Sequence, residues 1–426
     1  MADERRRPRV VIVGGGFGGL YAARVFRHEP VDVTLVDRTN HHVFQPLLYQ
    51  VATATLAPTD ITAPLRWLLR KQRNTEVLLA EVTGIDVANR TVTCDDGALT
   101  LAYDYLIVAP GSRHSYFGHP EWEKVAPGLK SIDDAIVIRQ RFLLAFERAE
   151  KATTESERRA QLTFVVVGGG PTGVELAGML PLIARHTLPD EFRHVETAAA
   201  RILLVEGGPR VLPTFSEKIS AEAQRELEEL GVEVRTGSIV SRVERGAVHI
   251  GAERIETSSI FWAAGNQASP LGKQLGVPLD RIGRVLVNPD LSIPGHQEVF
   301  VVGDLALMGP EQKRVPGVAQ GAIQSGKHSA QNILRLMDRR VTTPFKYRNL
   351  GDLATIGRHR AVAQFPSFEM WGKPAWWFWL FLHLMYLAGF RNRASVFIEW
   401  AYAYFRYGLG ARLITAAGRR EPGAPN

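Results

Sequence analysis

The stretch Arg9-Val10-Val11-Ile12-Val13-Gly14-Gly15-Gly16-Phe17-Gly18-Gly19 decides the fold. Its first five residues, largely β-branched and bounded by polar residues and glycine, read as a buried parallel strand. Gly14, Gly16 and Gly19 then fit the G-x-G-x-x-G spacing. In such a loop the first glycine permits the tight turn from strand to helix. The second removes a side chain where a pyrophosphate approaches the backbone, and the third lets helix and strand pack closely. A helix from Gly18 to about Arg27 would offer its free N–H groups and positive dipole end to the phosphates. A second strand, Val33 to Val36, ends at Asp37, where a carboxylate can accept hydrogen bonds from a ribose. Gly14, Gly15, Gly16, Phe17, Gly18, Gly19 and Asp37 are therefore candidates for holding a dinucleotide.

The same plan returns further along. Leu162 to Val167 reads as a strand and Gly168-Gly169-Gly170-Pro171-Thr172-Gly173 as a loop, matching through Gly168, Gly170 and Gly173. A helix is expected from Thr172 to about Arg185, then a strand from Arg201 to Val205 ending at Glu206. That acid comes later than the usual spacing of about 20 residues, and the segment His186 to Ala200 reads as an insertion. A carboxylate at this place favours a free 2′-hydroxyl and repels a 2′-phosphate, which predicts NADH over NADPH. Two dinucleotide layouts in one chain imply an electron path from nicotinamide to flavin, with non-covalent FAD at the first loop and NADH at the second.

Composition narrows the alternatives. The chain has 426 residues, 45% hydrophobic and 22% charged, enough for two or three domains and unlike a disordered or polytopic membrane protein. The net charge of +7 fits nucleic acid, anionic lipid or simple solubility, but no nucleic-acid motif is present. The arginine-rich N-terminus looks like the start of a signal peptide, yet the apolar run behind it is short and breaks at Gly14, so it reads as a strand. Cys94 is the single cysteine. It excludes chemistry that needs a redox-active cysteine pair, and it points to a reducing compartment. No His/Cys/Asp cluster has metal-ligand spacing. Elsewhere the sequence predicts a small antiparallel meander over Val77 to Val108, a crossing between domains over Gly111 to Gly128, and a long charged helix over Ile132 to Ala160. A buried strand over Val299 to Asp304 and a helix from about Ala319 complete this part.

Several motifs resemble a known family. They are Asn40-His41-His42-Val43-Phe44-Gln45-Pro46-Leu47-Leu48-Tyr49-Gln50, Tyr105-Leu106-Ile107-Val108-Ala109-Pro110-Gly111, and Val166 to Gly178 with its glycine loop and Glu175. Phe261-Trp262-Ala263-Ala264-Gly265, Val302-Gly303-Asp304, and Ala319-Gln320-Gly321-Ala322-Ile323-Gln324 follow. From Val10 to about Ile414 the chain resembles the type II NADH dehydrogenases, single-chain FAD enzymes that reduce membrane quinones without pumping protons. The resemblance implies that Asp304 bonds the flavin ribityl chain and that Val82 offers its backbone to the adenine. Ala322 and Ile323 would lie beside the flavin ring, with Ala109, Ala264 and Gly265 also at the cofactors. Gln320 and Gln324 would line the quinone pocket, and Glu175 would take part in hydride or proton transfer. It further implies a homodimer, peripheral on the cytoplasmic face of the inner (plasma) membrane, with menaquinone or ubiquinone as acceptor. The residues by themselves also allow plainer readings: Glu175 as a backbone or cap ligand, the two glutamines as a solvated helix face, and His41 and His42 as structural or pocket-lining groups.

Beyond Pro344 the composition shifts. Ala375 to Phe390 is apolar and aromatic but shorter than the about 20 residues of a spanning helix, and a second helical stretch runs from Arg393 to about Tyr407. Trp400, Tyr402, Tyr404 and Tyr407, with Arg391, Arg393, Arg406, Arg412, Arg419 and Arg420, suit the interface of an anionic bilayer. A buried helical hairpin or a dimer interface is the alternative. The expected fold is thus α/β: two Rossmann-like dinucleotide-binding domains plus a C-terminal helical membrane-attachment region. The domains are drawn as 8–120 and 284–345 for FAD, 121–283 for NADH, and 346–426 for attachment. A soluble ferredoxin- or rubredoxin-type reductase and a non-catalytic FAD/NADH redox sensor remain the competing functions.

Overall fold

A computed structural model describes residues 6–310, 314–387, 390–405 and 412–414. The chain divides into two compact units. The first comprises Met1–Val43, Thr62–Arg113 and Asn266–Arg348; the second comprises Phe44–Ile61, His114–Gly265 and Asn349–Asn426.

The first unit is built on a six-stranded sheet. Its order is Ser292–Ile293, His296–Val301, Tyr105–Val108, Arg9–Val13, Asp32–Asp37 and Thr75–Leu79. All neighbours are parallel except the Ser292–Ile293 edge. The inner strands are buried on both faces, which explains their unbroken apolar runs. Gly14 turns the chain out of the first strand at φ +100, into the helix Phe17–Val25. That helix crosses Ala319–Met337 in backbone contact, since a Cβ on Gly326 would lie 2.2 Å from the Gly18 oxygen. The expected meander is shorter than Val77 to Val108. Only Val82–Asp86, Thr91–Cys94 and Leu99–Ala102 form it. The flanking runs Thr75–Leu79 and Tyr105–Val108 join the parallel sheet instead, because Tyr105-Leu106-Ile107-Val108 is apolar throughout and needs cover on both faces. The strand expected over Val299 to Asp304 is His296–Val301. It stops before Gly303, whose φ of +67 turns the chain into a short helical turn carrying Asp304.

The second unit repeats the architecture with a four-stranded parallel sheet ordered Val232–Arg235, Arg201–Val205, Thr163–Val167 and Ser259–Trp262. Gly168, at φ +108, makes the turn into the helix Pro171–His186. The long helix expected over Ile132 to Ala160 is two helices, Ile132–Lys151 and Glu155–Gln161. The break falls where Thr154 starts a new cap: its hydroxyl accepts the Glu157 N–H at 3.2 Å, and the Glu157 carboxylate accepts the Thr154 N–H at 3.4 Å. After Arg348 a three-stranded antiparallel sheet, Asp352–Thr355, Ala361–Gln364 and Glu369–Trp371, precedes the helices Gly372–Tyr386 and Phe390–Phe405. A Cβ on Gly178 would meet the Gly357 nitrogen at 2.6 Å, so the helix Pro171–His186 packs backbone to backbone on the loop of this sheet. The second helical stretch therefore starts at Phe390 rather than Arg393.

The cap makes a simple stability test. Thr154→Ala removes the acceptor that begins the second helix, and is expected to cost about 1 kcal/mol in urea unfolding. A loss below about 0.3 kcal/mol would show that the cap does not set the break.

Candidate active site

The two glycine loops are built alike. A Cβ on Gly14 would lie 2.3 Å from the Ala109 oxygen, and one on Gly168 would lie 2.7 Å from the Ala263–Ala264 peptide. A Cβ on Gly19 would fall 1.8 Å from the Gly14 oxygen, and one on Gly173 1.8 Å from the Gly168 oxygen. Only glycine lets strand end and helix start touch in this way. The middle glycines differ. At Gly16 and Gly170 an added Cβ would meet nothing within 4 Å, so each loop leaves an open cradle beneath free helix N–H groups, the shape and polarity that a pyrophosphate needs.

Each second-strand carboxylate ties its loop down. Oδ2 of Asp37 accepts the Gly15 N–H at 2.6 Å, and Oε2 of Glu206 accepts the Gly169 N–H at 2.6 Å. Oδ1 of Asp37 also accepts from the Thr39 N–H at 2.7 Å and hydroxyl at 2.8 Å, while Oε1 of Glu206 accepts the Gly208 N–H at 2.6 Å. A carboxylate offers about four acceptor positions, so both retain room for a ribose hydroxyl, Glu206 more than Asp37. His42 supports the first loop from behind. Its ring donates from Nδ1 to the Gly15 oxygen at 3.0 Å and meets Phe17 edge-on at 4.9 Å. Burial pushes its pKa down to about 4, so His42 is a neutral structural group, the plainer of its two readings.

The first unit gathers more of the expected residues around its loop. Asp304 accepts a hydrogen bond from the Ser112 hydroxyl at 2.7 Å, and a Cβ on Gly317 would touch its other oxygen at 3.3 Å. Ala322 lies against both Gly18 and Gly303, and Ile323 is buried beside it. Val82 stands opposite Cys94 in the meander, on a different sheet. Gln320 and Gln324 are half-buried, one turn apart. The Gln324 amide is engaged at both ends on the backbone of Arg348, donating to its oxygen at 3.0 Å and accepting from its N–H at 3.0 Å. One Nε2 hydrogen is left over. Cys94 is buried, and burial raises its pKa. Among the described residues no cluster could hold a metal.

Glu175 belongs to the second unit, on the helix that follows Gly170. Its carboxyl is enclosed, and it accepts a hydrogen bond from the Thr355 N–H at 3.4 Å. Desolvation outweighs that bond and pushes its pKa up to about 8. At neutral pH the group is thus mostly a neutral acid, able to release a proton. Thr355 and Tyr49 adjoin it, and Gln50 and Trp400 extend the group from Tyr49, all of them buried. The hydrogen-bonded pair Gln50 and Trp400 lies 350 residues apart, so only folding brings them together.

The C-terminal helix Gly372–Tyr386 presents two stripes at helical spacing. Ala375, Trp379 and His383 face protein, with the Trp379 and His383 rings stacked at 4.3 Å. His383 donates from Nδ1 to the Trp379 oxygen at 2.8 Å, and burial lowers its pKa to about 4. On another face Trp377, Phe381 and Met385 are 53%, 61% and 50% exposed. Phe397 and Ile398 of the next helix are exposed as well. No helix among the described residues is long and apolar enough to cross a membrane. Arg406, Tyr407, Arg419 and Arg420, and the side chains of Arg391, Tyr402 and Tyr404, lie outside what the structure describes.

Comparison with known proteins gives these features a family. Residues 8–326 match the pyridine nucleotide-disulphide oxidoreductase model, and residues 349–406 match the NDH2 C-terminal domain. The chain is 46% identical to the type II NADH:quinone oxidoreductase NdhA of Mycobacterium tuberculosis over 96% of its own length and 90% of the relative's. It is 45% identical to Ndh of the same organism over 97% and 92%. The structure of NDH2 from Plasmodium falciparum in complex with NADH superposes with a TM-score of 0.88 at 22% identity, covering 95% of this chain and 99% of that one. The sulfide:quinone oxidoreductase of Aquifex aeolicus gives 0.74 at 19% identity, over 98% and 100%, which is a likeness of fold. With two glycine cradles, their stitched carboxylates and a matching C-terminal domain, the chain belongs to the type II NADH:quinone oxidoreductase family.

Proposed function

We infer that this chain passes two electrons from NADH, by way of non-covalently bound FAD, to a membrane quinone. The observation that carries the reading is the pair of open cradles at Gly16 and Gly170, each tied to a second-strand carboxylate. Bound flavin supplies the two-electron chemistry between nicotinamide and quinone. The protein's share is to bind, orient and handle protons. Gly14 to Gly19, Asp37, Ala109, Asp304, Ala322 and Ile323 would hold FAD, with Val82 at the adenine. Gly168, Gly170, Gly173, Glu206, Ala264 and Gly265 would hold NADH, in pieces that correspond to 8–120 with 284–345 and to 121–283. Glu175, neutral at physiological pH, would hold the proton that moves with the electrons. Gln320, and the remaining N–H of Gln324, would donate to a quinone carbonyl.

The exposed apolar stripe supports attachment to a bilayer. Large apolar residues exposed along one helix face suit the headgroup region better than water, and a quinone substrate resides in that bilayer. The family likeness favours a homodimer on the cytoplasmic face of the inner (plasma) membrane.

Stopped-flow spectroscopy tests the electron route. NADH should bleach the bound flavin rapidly and a menaquinone or ubiquinone analogue should restore its colour. Flavin reduction that is slow and indifferent to quinone would support the redox sensor instead. In the same instrument NADPH should act at least about tenfold less efficiently, because Glu206 meets its 2′-phosphate; one like-charge contact of about 1.4 kcal/mol suffices. Equal use of both would overturn the assignment of Glu206. Attachment is tested on anionic vesicles: Trp377→Glu combined with Phe381→Glu should weaken binding by about 100-fold or more, since charged residues are expensive in the interface. Unchanged binding would remove the stripe from the membrane contact.

A further inference from the structure

Trp400, Gln50, Tyr49 and Thr355 form one continuous hydrogen-bonded row inside the second unit. The Trp400 Nε1–H donates to the Gln50 Oε1 at 2.8 Å. The Gln50 Nε2–H donates to the Tyr49 hydroxyl at 2.9 Å, and that hydroxyl bonds Thr355 Oγ1 at 2.8 Å. The backbone N–H of the same Thr355 is the one that reaches the Glu175 carboxyl. All four residues are at most 8% exposed. They come from three elements: Trp400 from the helix Phe390–Phe405, Tyr49 and Gln50 from the short helix Leu48–Ala52, and Thr355 from the end of the strand Asp352–Thr355.

The direction of the row has a physical meaning. The indole can only donate, so it fixes which end of the Gln50 amide faces Tyr49. With Gln50 donating to the phenol, the phenol hydrogen is free to point at Thr355. Each donor polarises the next, and in a dry interior such rows hold their geometry firmly. An indole and an amide do not carry protons at neutral pH, so the row is a strut rather than a proton wire. Burial holds the Tyr49 phenol far above its ordinary range, the Glu175 charge adding to the rise, so the phenol stays a neutral link.

We propose that Tyr49 and Thr355 are the positioning residues of Glu175, and that the row from Trp400 transmits the seating of the C-terminal aromatic helices to that carboxyl. This rests on the reading of Glu175 as a participant in the reaction. The consequence is a coupling between the two ends of the row: the helix that carries the exposed apolar residues Phe397 and Ile398 also carries Trp400. Docking of those helices and the proton-holding state of Glu175 are linked through four side chains.

Few other charges compete for control. Tyr49 faces Glu175 from Leu48–Ala52. The strand Asp352–Thr355 brings Asp352, whose own carboxyl is raised by burial. The helix Glu217–Glu229 brings Glu226, raised by burial and eased by Arg360 and Arg225. On the helix Glu217–Glu229, Glu229 pairs with Arg360 and Glu222 with Arg225, and on the strand Val232–Arg235 Glu233 pairs with Arg201 and Arg235. The described interactions of the Glu175 carboxyl itself are burial and the Thr355 N–H.

The sign of the effect follows. The Thr355 N–H favours the ionised carboxylate, so loosening Thr355 raises the pH at which Glu175 ionises. Detergent-solubilised holoenzyme with a short-chain quinone removes membrane binding from the measurement. In the wild type the turnover profile should bend near the Glu175 ionisation, at about 8. Tyr49→Phe and Thr355→Val should move that limb upward by about half a unit or more and lower kcat several-fold at unchanged KM for NADH. Trp400→Phe, which keeps the ring and loses the donor, should move it the same way by less. Thr355→Ser, which keeps the hydroxyl, should restore the wild-type limb. Limbs that stay in place in Tyr49→Phe and Thr355→Val, while Glu175→Gln abolishes the limb, would overturn the positioning proposal alone. A limb that persists in Glu175→Gln would overturn the reading of Glu175, and the proposal with it.

Discussion

The structure depends on a backbone contact made twice. Strand end and helix start approach so closely at Gly14 and Gly19, and again at Gly168 and Gly173, that a Cβ on the third glycine would overlap the carbonyl of the first. Close approach aims the first N–H groups of each helix at one spot, and the middle glycine leaves that spot open. The carboxylates of Asp37 and Glu206 then accept the N–H of the second glycine and fix the loop to the neighbouring strand. The acid at the strand end therefore has two duties: it shapes the loop before any ribose arrives, and it offers its remaining lone pairs to the ribose afterwards. Removing it would disturb the pyrophosphate cradle as well as the sugar contact.

The second unit adds what a nucleotide fold lacks. Its C-terminal sheet is packed directly on the helix of Glu175, with Gly178 against Gly357, so the extra domain forms part of the environment that keeps this carboxyl dry. The following helices sort their aromatic residues by face. Trp379 and His383 turn inward and stack, while Trp377 and Phe381 turn outward. A helix that hides one aromatic stripe and shows another is held by protein on one side and calls for an apolar medium on the other.

Much of this was legible in the sequence because it is local. A glycine spacing, a β-branched run and an acid at a strand end are separated by few residues, and each has one physical use. The strands Arg9–Val13 and Arg201–Val205 fall where the pattern puts them. Errors arose where local pattern underdetermines partner choice. Thr75–Leu79 and Tyr105–Val108 are short apolar runs that serve equally in a meander or a parallel sheet, and only their neighbours decide. The Thr153-Thr154 break was visible as a capping box with Glu157 but was hidden inside a charged helical pattern. The row from Trp400 to Thr355 was not legible at all, since hydrogen bonds across 306 and 350 residues leave no periodic trace. Gln324 shows the opposite case: its spacing from Gln320 suits a shared pocket wall, yet folding commits most of its amide to the backbone of Arg348.

On the proposed route two alike cradles serve two different cofactors in sequence. The direct measurement compares Gly16→Ala with Gly170→Ala for flavin content and for the rate of flavin reduction by NADH. Neither added methyl meets protein, so both variants should fold with wild-type stability. Gly16→Ala should be purified with most of its FAD missing. Gly170→Ala should keep its FAD but need about tenfold or more NADH to reduce it at the wild-type rate, the loss of roughly 1.4 kcal/mol of binding. Variants that both retain FAD and are reduced at the wild-type rate by the same NADH concentration would contradict the account.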